Sequence, residues 1–136
     1  MKKILCVLLS AMMLVLCGCS SSAPADEKLS LIGTWTQTNS ESPDSYQEAV
    51  ITENSMEIYW VSDGGETKAL YWAGTYSEPT TNDKEYVWTS QNDTEKTSVA
   101  LLASGDETKE FTYKDGVISY STSALGVTTT VKLEKK

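Results

Sequence analysis

The chain has 136 residues, a formal net charge of −8 and no histidine, and all 11 of its basic residues are lysine. An acidic chain without arginine, the side chain that best grips phosphates and guanine edges, is poorly suited to nucleic acid, and that class of partner is set aside. Cys6, Cys17 and Cys19 all lie near the start. The remainder therefore lacks the commonest general base, a thiol nucleophile and any disulfide staple.

Met1, Lys2 and Lys3 form a basic start, and 4–16 is an almost unbroken apolar run of about thirteen residues, too short to span a bilayer as a helix. The run ends in Leu16-Cys17-Gly18-Cys19. This resembles the lipobox of bacterial lipoproteins: an aliphatic residue, a tolerated residue, a small residue, then the cysteine to be modified. Cys19 follows small Gly18 and fits that pattern, whereas Cys17 follows bulky Leu16 and does not. The resemblance implies a signal peptide over 1–18, cleavage before Cys19 and lipidation of Cys19. The mature protein would then be held on the extracytoplasmic face of a membrane. Diacylglycerol supplies two chains, enough for stable anchoring at roughly 0.8 kcal/mol per buried methylene. Loss of Lys2 and Lys3 takes the net charge to about −10.

Residues 19–30, with Ser20, Ser21, Ser22, Ala23 and Pro24, carry no apolar periodicity and read as a flexible tether reaching on the order of 20 Å. From residue 31 the chain is rich in Thr, Val, Ile, Tyr and Trp, with turn residues at short intervals. An all-β domain over 31–136 is predicted, an antiparallel meander of about eight or nine strands forming a small barrel or barrel-like sandwich. The strands are expected near 31–38, 46–53, 56–62, 67–76, 84–90, 96–103, 108–114, 117–123 and 127–134.

Gly33-Thr34-Trp35, preceded by Leu31 and Ile32, is similar to the opening of the lipocalin-like domains of small bacterial lipoproteins. The resemblance implies a glycine that lets strands pack closely and a tryptophan that plugs one end of a barrel. The arginine that stacks on that tryptophan in lipocalins has no counterpart, and Lys132 is the nearest substitute. Closure would pair the strand at Trp35 with the strand at Val131.

Asp63-Gly64-Gly65-Glu66 marks a hairpin. A turn at Gly64 and Gly65 sets Trp60 against Ala69, Ile58 against Tyr71 and Met56 against Ala73, with Tyr59, Val61, Leu70, Lys68 and Trp72 on the opposite face. Asp115-Gly116 and Leu125-Gly126 mark two more turns. They set Tyr113 against Ile118, Phe111 against Tyr120, Tyr120 against Val131 and Ile118 against Leu133. One face of that meander is then apolar and the other hydroxyl-rich, and a one-residue slip would invert both.

No nucleophile elbow is present, and Ser119, Ser121 and Ser123 alternate as a solvent face. The acidic turns at Asp63 and Asp83 lack calcium-loop spacing. No catalytic residue, metal or cofactor is expected. Trp60, Trp72, Trp88, Tyr59 and Tyr71 are the candidate contacts for a ligand or partner, since Tyr and Trp in place of Phe suggest rings whose polar ends reach water. Packing of the same rings into the core is the competing reading. The expected function is a non-enzymatic binding module for a small apolar ligand or a surface protein. The alternative is an envelope or prophage-borne protein that modulates another envelope protein without a small ligand. The first requires a cavity or an aromatic patch; the second requires a filled interior and a contiguous outer patch.

Overall fold

A computed structural model describes residues 28–136; the leader, Cys19 and the tether through residue 27 lie outside the described residues. Eight strands form: β1 (Gly33–Gln37), β2 (Tyr46–Ile51), β3 (Ser55–Ser62), β4 (Thr67–Thr75), β5 (Glu85–Gln91), β6 (Thr108–Lys114), β7 (Val117–Ala124) and β8 (Val127–Lys135). A single helical turn, α1 (Thr94–Thr97), follows β5. The strands make one antiparallel sheet in the order β4-β3-β2-β1-β8-β7-β6-β5, a meander curled into a half-barrel.

The expected pairing of the first and last strands is present, with Trp35 opposite Lys135 and Gln37 opposite Leu133. Trp35 is fully buried, and its indole N–H donates to the Leu31 carbonyl at 2.8 Å. Lys135, not Lys132, sets its ammonium 5.8 Å from the Trp35 ring centre. Gly33 explains how: at φ +136 it holds a backbone conformation that glycine adopts cheaply, and a Cβ there would lie 2.9 Å from Lys135 Cε.

In the C-terminal meander Tyr113 faces Ile118, Tyr120 faces Val131 and Ile118 faces Leu133, as the turn positions require. Phe111 and Tyr120 meet through their rings, 5.0 Å apart, but not as backbone partners, because the β6–β7 ladder stops at Thr112 and Ser119. Phe111, Ile118, Tyr120, Val131 and Leu133 are buried, and Tyr113 packs half-buried against them. Each such side chain contributes about 1.5–3 kcal/mol by leaving water. Trp35, Ile58, Trp72 and Trp88 fill the remaining interior, so the axis of the half-barrel is packed.

Two expectations change. First, β3 and β4 share the expected register only near their turn, where Trp60 faces Ala69 and Tyr59 faces Leu70. A bulge then adds Tyr71 as an extra residue, so Ile58 faces Trp72 and Met56 faces Gly74. The bulge reverses the alternation and turns Trp72 inward. Second, 96–103 is not a strand. Asp93 stops extension there: its carbonyl accepts the amides of Lys96 and Thr97 and opens α1. The residues just beyond α1 continue as a loop, and Val99, Leu101 and Leu102 are exposed.

The ladders define two ends. Residues 28–33, the turn after Ile51, the 76–84 loop, the Asp115 turn and the C-terminus share the tether end, where Leu29 donates to the Thr81 carbonyl and Lys28 pairs with Glu78. The 38–45 loop, the Asp63 turn and the Leu125 turn share the far end, and the 92–107 segment leaves the far end of β5 to run along the edge of β4 from Gly74 to Tyr71.

Candidate functional site: a cleft at the far end

The two edge strands, β4 and β5, meet only at the close of each, where Gly74 bridges to Asn92. Trp72 donates its indole N–H to Ser90 Oγ at 3.0 Å across this seam. Gly74 makes the approach possible, since a Cβ there would lie 2.5 Å from the Gln91 carbonyl oxygen and closer still to Ser90 Oγ. Below the seam the 92–107 segment takes over: Asp93 donates to the Ala73 carbonyl at 2.8 Å, and Ser104 to the Tyr71 carbonyl at 2.8 Å. The exposed edge of β4 is thereby covered by loop backbone in place of a strand.

A cleft of about 570 Å³ remains between this segment, β4 and the end of β7, lined by Trp60, Tyr71, Leu102, Asp106, Lys109 and Ser121 among others. A shallower groove of about 400 Å³ adjoins it on the hydroxyl-rich face, walled by Thr108, Thr112, Ser119 and Thr130. Asp106, Lys109, Ser121 and Ser123 border both. Early termination of the β6–β7 ladder is what joins them, because both strands run on toward the far end without pairing.

Lys109 is the unusual member. The alternation Lys109, Phe111, Tyr113 points its side chain inward, and that side chain is only 7% exposed. Its ammonium sits 5.5 Å from the Tyr71 ring centre and 5.4 Å from that of Trp72. It donates to Asp106 Oδ2 at 2.9 Å and, at 3.4 Å, to the Ser121 carbonyl. The Asp106 carboxylate is 61% exposed and also accepts from Ser104 Oγ at 2.8 Å. Hydrogen bonds from Lys109 and then Ser104 hold its carboxyl below the usual carboxylate range. Deeper in, Tyr120 donates to Gln47 Oε1, and burial pushes the Tyr120 phenol well above its ordinary value.

The five aromatic candidates separate. Trp60 and Tyr71 come together at the cleft as an edge-to-face pair, centres 5.4 Å apart. Trp72 and Trp88 are buried in the core, Trp88 stacked on Phe111. Tyr59 lies on the outer face and donates to Glu57, whose other oxygen accepts from Lys96 at 2.5 Å. Cys19, the expected lipidation site, is outside the described residues. Lys109, Asp106 and Leu102 were not expected at a site. A lysine in register with Phe111 and Tyr113 on the apolar face was a visible signal for the first; nothing local foretold the others.

The rim adds an apolar element. Of the large apolar side chains exposed among the described residues, Trp60 and Leu102 line the cleft, Leu125 and Val127 lie at the far-end turn after β7, Val99 and Leu101 lie on the 92–107 segment, and Val50 and Val87 lie nearer the tether. Leu125 is fully exposed at φ +52, a left-handed conformation disfavoured for a bulky side chain.

No family model matches the chain, and neither a curated protein nor a solved structure shows significant similarity to it.

Proposed function

We propose that this protein is a lipid-anchored, extracytoplasmic, non-enzymatic binding module whose recognition surface is the far-end cleft with its apolar rim. The observation that carries the reading is the polarity of the domain: the chain enters at one end, while the cleft, with exposed Trp60 and Leu102 in its wall and Leu125 and Val127 in the turn beside Ala124, opens toward the other. A tether on Cys19 would then present the cleft away from the bilayer. Exposed apolar residues concentrated around one concavity mark a binding surface. A bulky residue kept in an unfavourable conformation on the rim supports the same reading. The half-barrel with its packed core supports a reading in which a ligand would sit at the mouth and not along the axis. No histidine or cysteine is available to the domain for nucleophilic catalysis.

The test has two arms. Radiolabelled palmitate should enter the wild-type chain in cells, and Cys19→Ser should lose both label and membrane association. The lipidated chain in nanodiscs should bind a ligand from a small-molecule library with a saturable change in tryptophan emission that Trp60→Ala abolishes. Titrations that never saturate would reject the cleft as a ligand site.

The filled interior favours a second reading, in which the rim docks on another envelope protein without any small ligand. Ser104→Trp, which fills the cleft, and Leu101→Ser, which removes rim apolarity, separate the two: the first variant should abolish ligand binding, the second protein docking.

A further inference from the structure

We propose that the far-end cleft takes a carboxylate carried on an apolar body, with the Lys109 ammonium holding that carboxylate in the place Asp106 now fills. The inference rests on the binding-module reading and names its ligand class. A buried ammonium needs an anion, and here the anion belongs to a solvent-facing loop residue. Asp106 reaches Lys109 through one oxygen, and its carboxylate's other bond, from Ser104 Oγ, is local to its own loop; its backbone, held by Asn92 Nδ2 donating to the Asp106 carbonyl, need not move when the side chain does. It can swing into water without loss of any sheet or core contact. Lys109 is fixed by comparison: Tyr71 and Trp72 flank its ammonium, Phe111 shares its strand face, and the Ser121 carbonyl accepts from it. The other cleft walls, Trp60, Tyr71, Leu102 and Ala124, offer apolar surface to a body attached to the anion. A cation at the floor and rings on the wall fit an apolar carboxylate better than a neutral apolar ligand, which would gain nothing from the ammonium. The same chemistry occurs in small aryl or alkyl acids and at the C-terminus of an apolar peptide.

Tryptophan emission of the full lipidated chain in zwitterionic nanodiscs, titrated with 4-phenylbutyrate and with its neutral amide, tests the assignment. A second pair, N-acetyl-Ala-Phe with a free C-terminus and as the C-terminal amide, distinguishes a peptide terminus from a small acid. The carboxylates should bind saturably and their amides about thirtyfold more weakly, the effect of one charge-assisted contact. Lys109→Met should reduce carboxylate affinity to the level of the amides while keeping the circular dichroism of the fold. Asp106→Asn should tighten carboxylate binding about tenfold by removing the internal competitor. Equal binding of acid and amide, with both variants silent and Trp60→Ala still abolishing the signal, overturns the carboxylate assignment and leaves the binding module standing. Absence of saturable binding by all four probes overturns the carboxylate assignment; the wider library then decides the module itself.

Discussion

Individual side chains set what the far end can do. Leu125 occupies a left-handed position that Asn tolerates better, so Leu125→Asn is expected to stabilise the domain by about 1 kcal/mol. A urea midpoint that stays put or falls would contradict the strain assigned to it. Phe111 stacks on Trp88 and tilts against Tyr120 in the centre of the core. Phe111→Ala should therefore cost about 3–5 kcal/mol, read from the same unfolding curves. Trp60, exposed on the cleft wall, should behave oppositely, its removal to Ala shifting stability by less than about 1 kcal/mol. A large loss of stability in that variant would place Trp60 in the core.

Among the elements, β4 decides most. Its bulge at Tyr71 turns Trp72 inward and leaves Tyr71 against Trp60 at the mouth. Its far edge is closed by the 92–107 segment, and its near edge by contact with β5 at Gly74. Gly74→Ala drives a methyl group into backbone and should cost about 1–3 kcal/mol. Hydrogen exchange at the Asp93 and Ser104 amides should quicken in that variant more than exchange in β7 and β8, because the seam loosens before the meander does. Uniform acceleration across all strands would show that the seam is not a separate unit.

At the scale of the whole molecule, titration bounds the stability. Glu57, hydrogen-bonded by Lys96 and Tyr59, and Asp106, hydrogen-bonded by Lys109 and Ser104, are held below their ordinary values of 4.5 and 3.8. A lowered carboxyl stabilises the fold above its unfolded pKa, and that share is lost as pH falls through the lowered value. The effect is small, since in each pair one partner is largely exposed, Lys96 in the first and Asp106 in the second. On the alkaline side, burial raises Tyr120 and, with the Glu57 contact, raises Tyr59 to about 12 from 10.0. Stability from a raised phenol is full below 10.0 and lost as pH rises toward the higher value. A melting temperature flat between about pH 5 and pH 10, with a steeper alkaline than acid limb, is expected, and tyrosinate absorbance should appear together with unfolding. Complete tyrosine ionisation in the folded state would refute it.

The C-terminal meander was legible in the residues themselves. Asp115-Gly116 and Leu125-Gly126 fix the turns, strict alternation fixes the faces, and a slip would bury hydroxyls, so local chemistry admits one register from Tyr113 to Leu133. The pairing of first and last strands was expected as the closure of a barrel; it is present, while the gap falls between β4 and β5. The bulge in β4 escaped such reasoning because Tyr71 and Trp72 suit either face equally. The 96–103 segment escaped it because its backbone is decided by the turn that the Asp93 carbonyl opens and by the anchoring of Asp93 and Ser104 on β4, contacts its own apolar residues do not announce. The cleft belongs to the same class. It exists because β6 and β7 part while 92–107 covers β4, an arrangement of segments distant in the chain, and only their packing brings Lys109, Asp106, Trp60 and Tyr71 to one place.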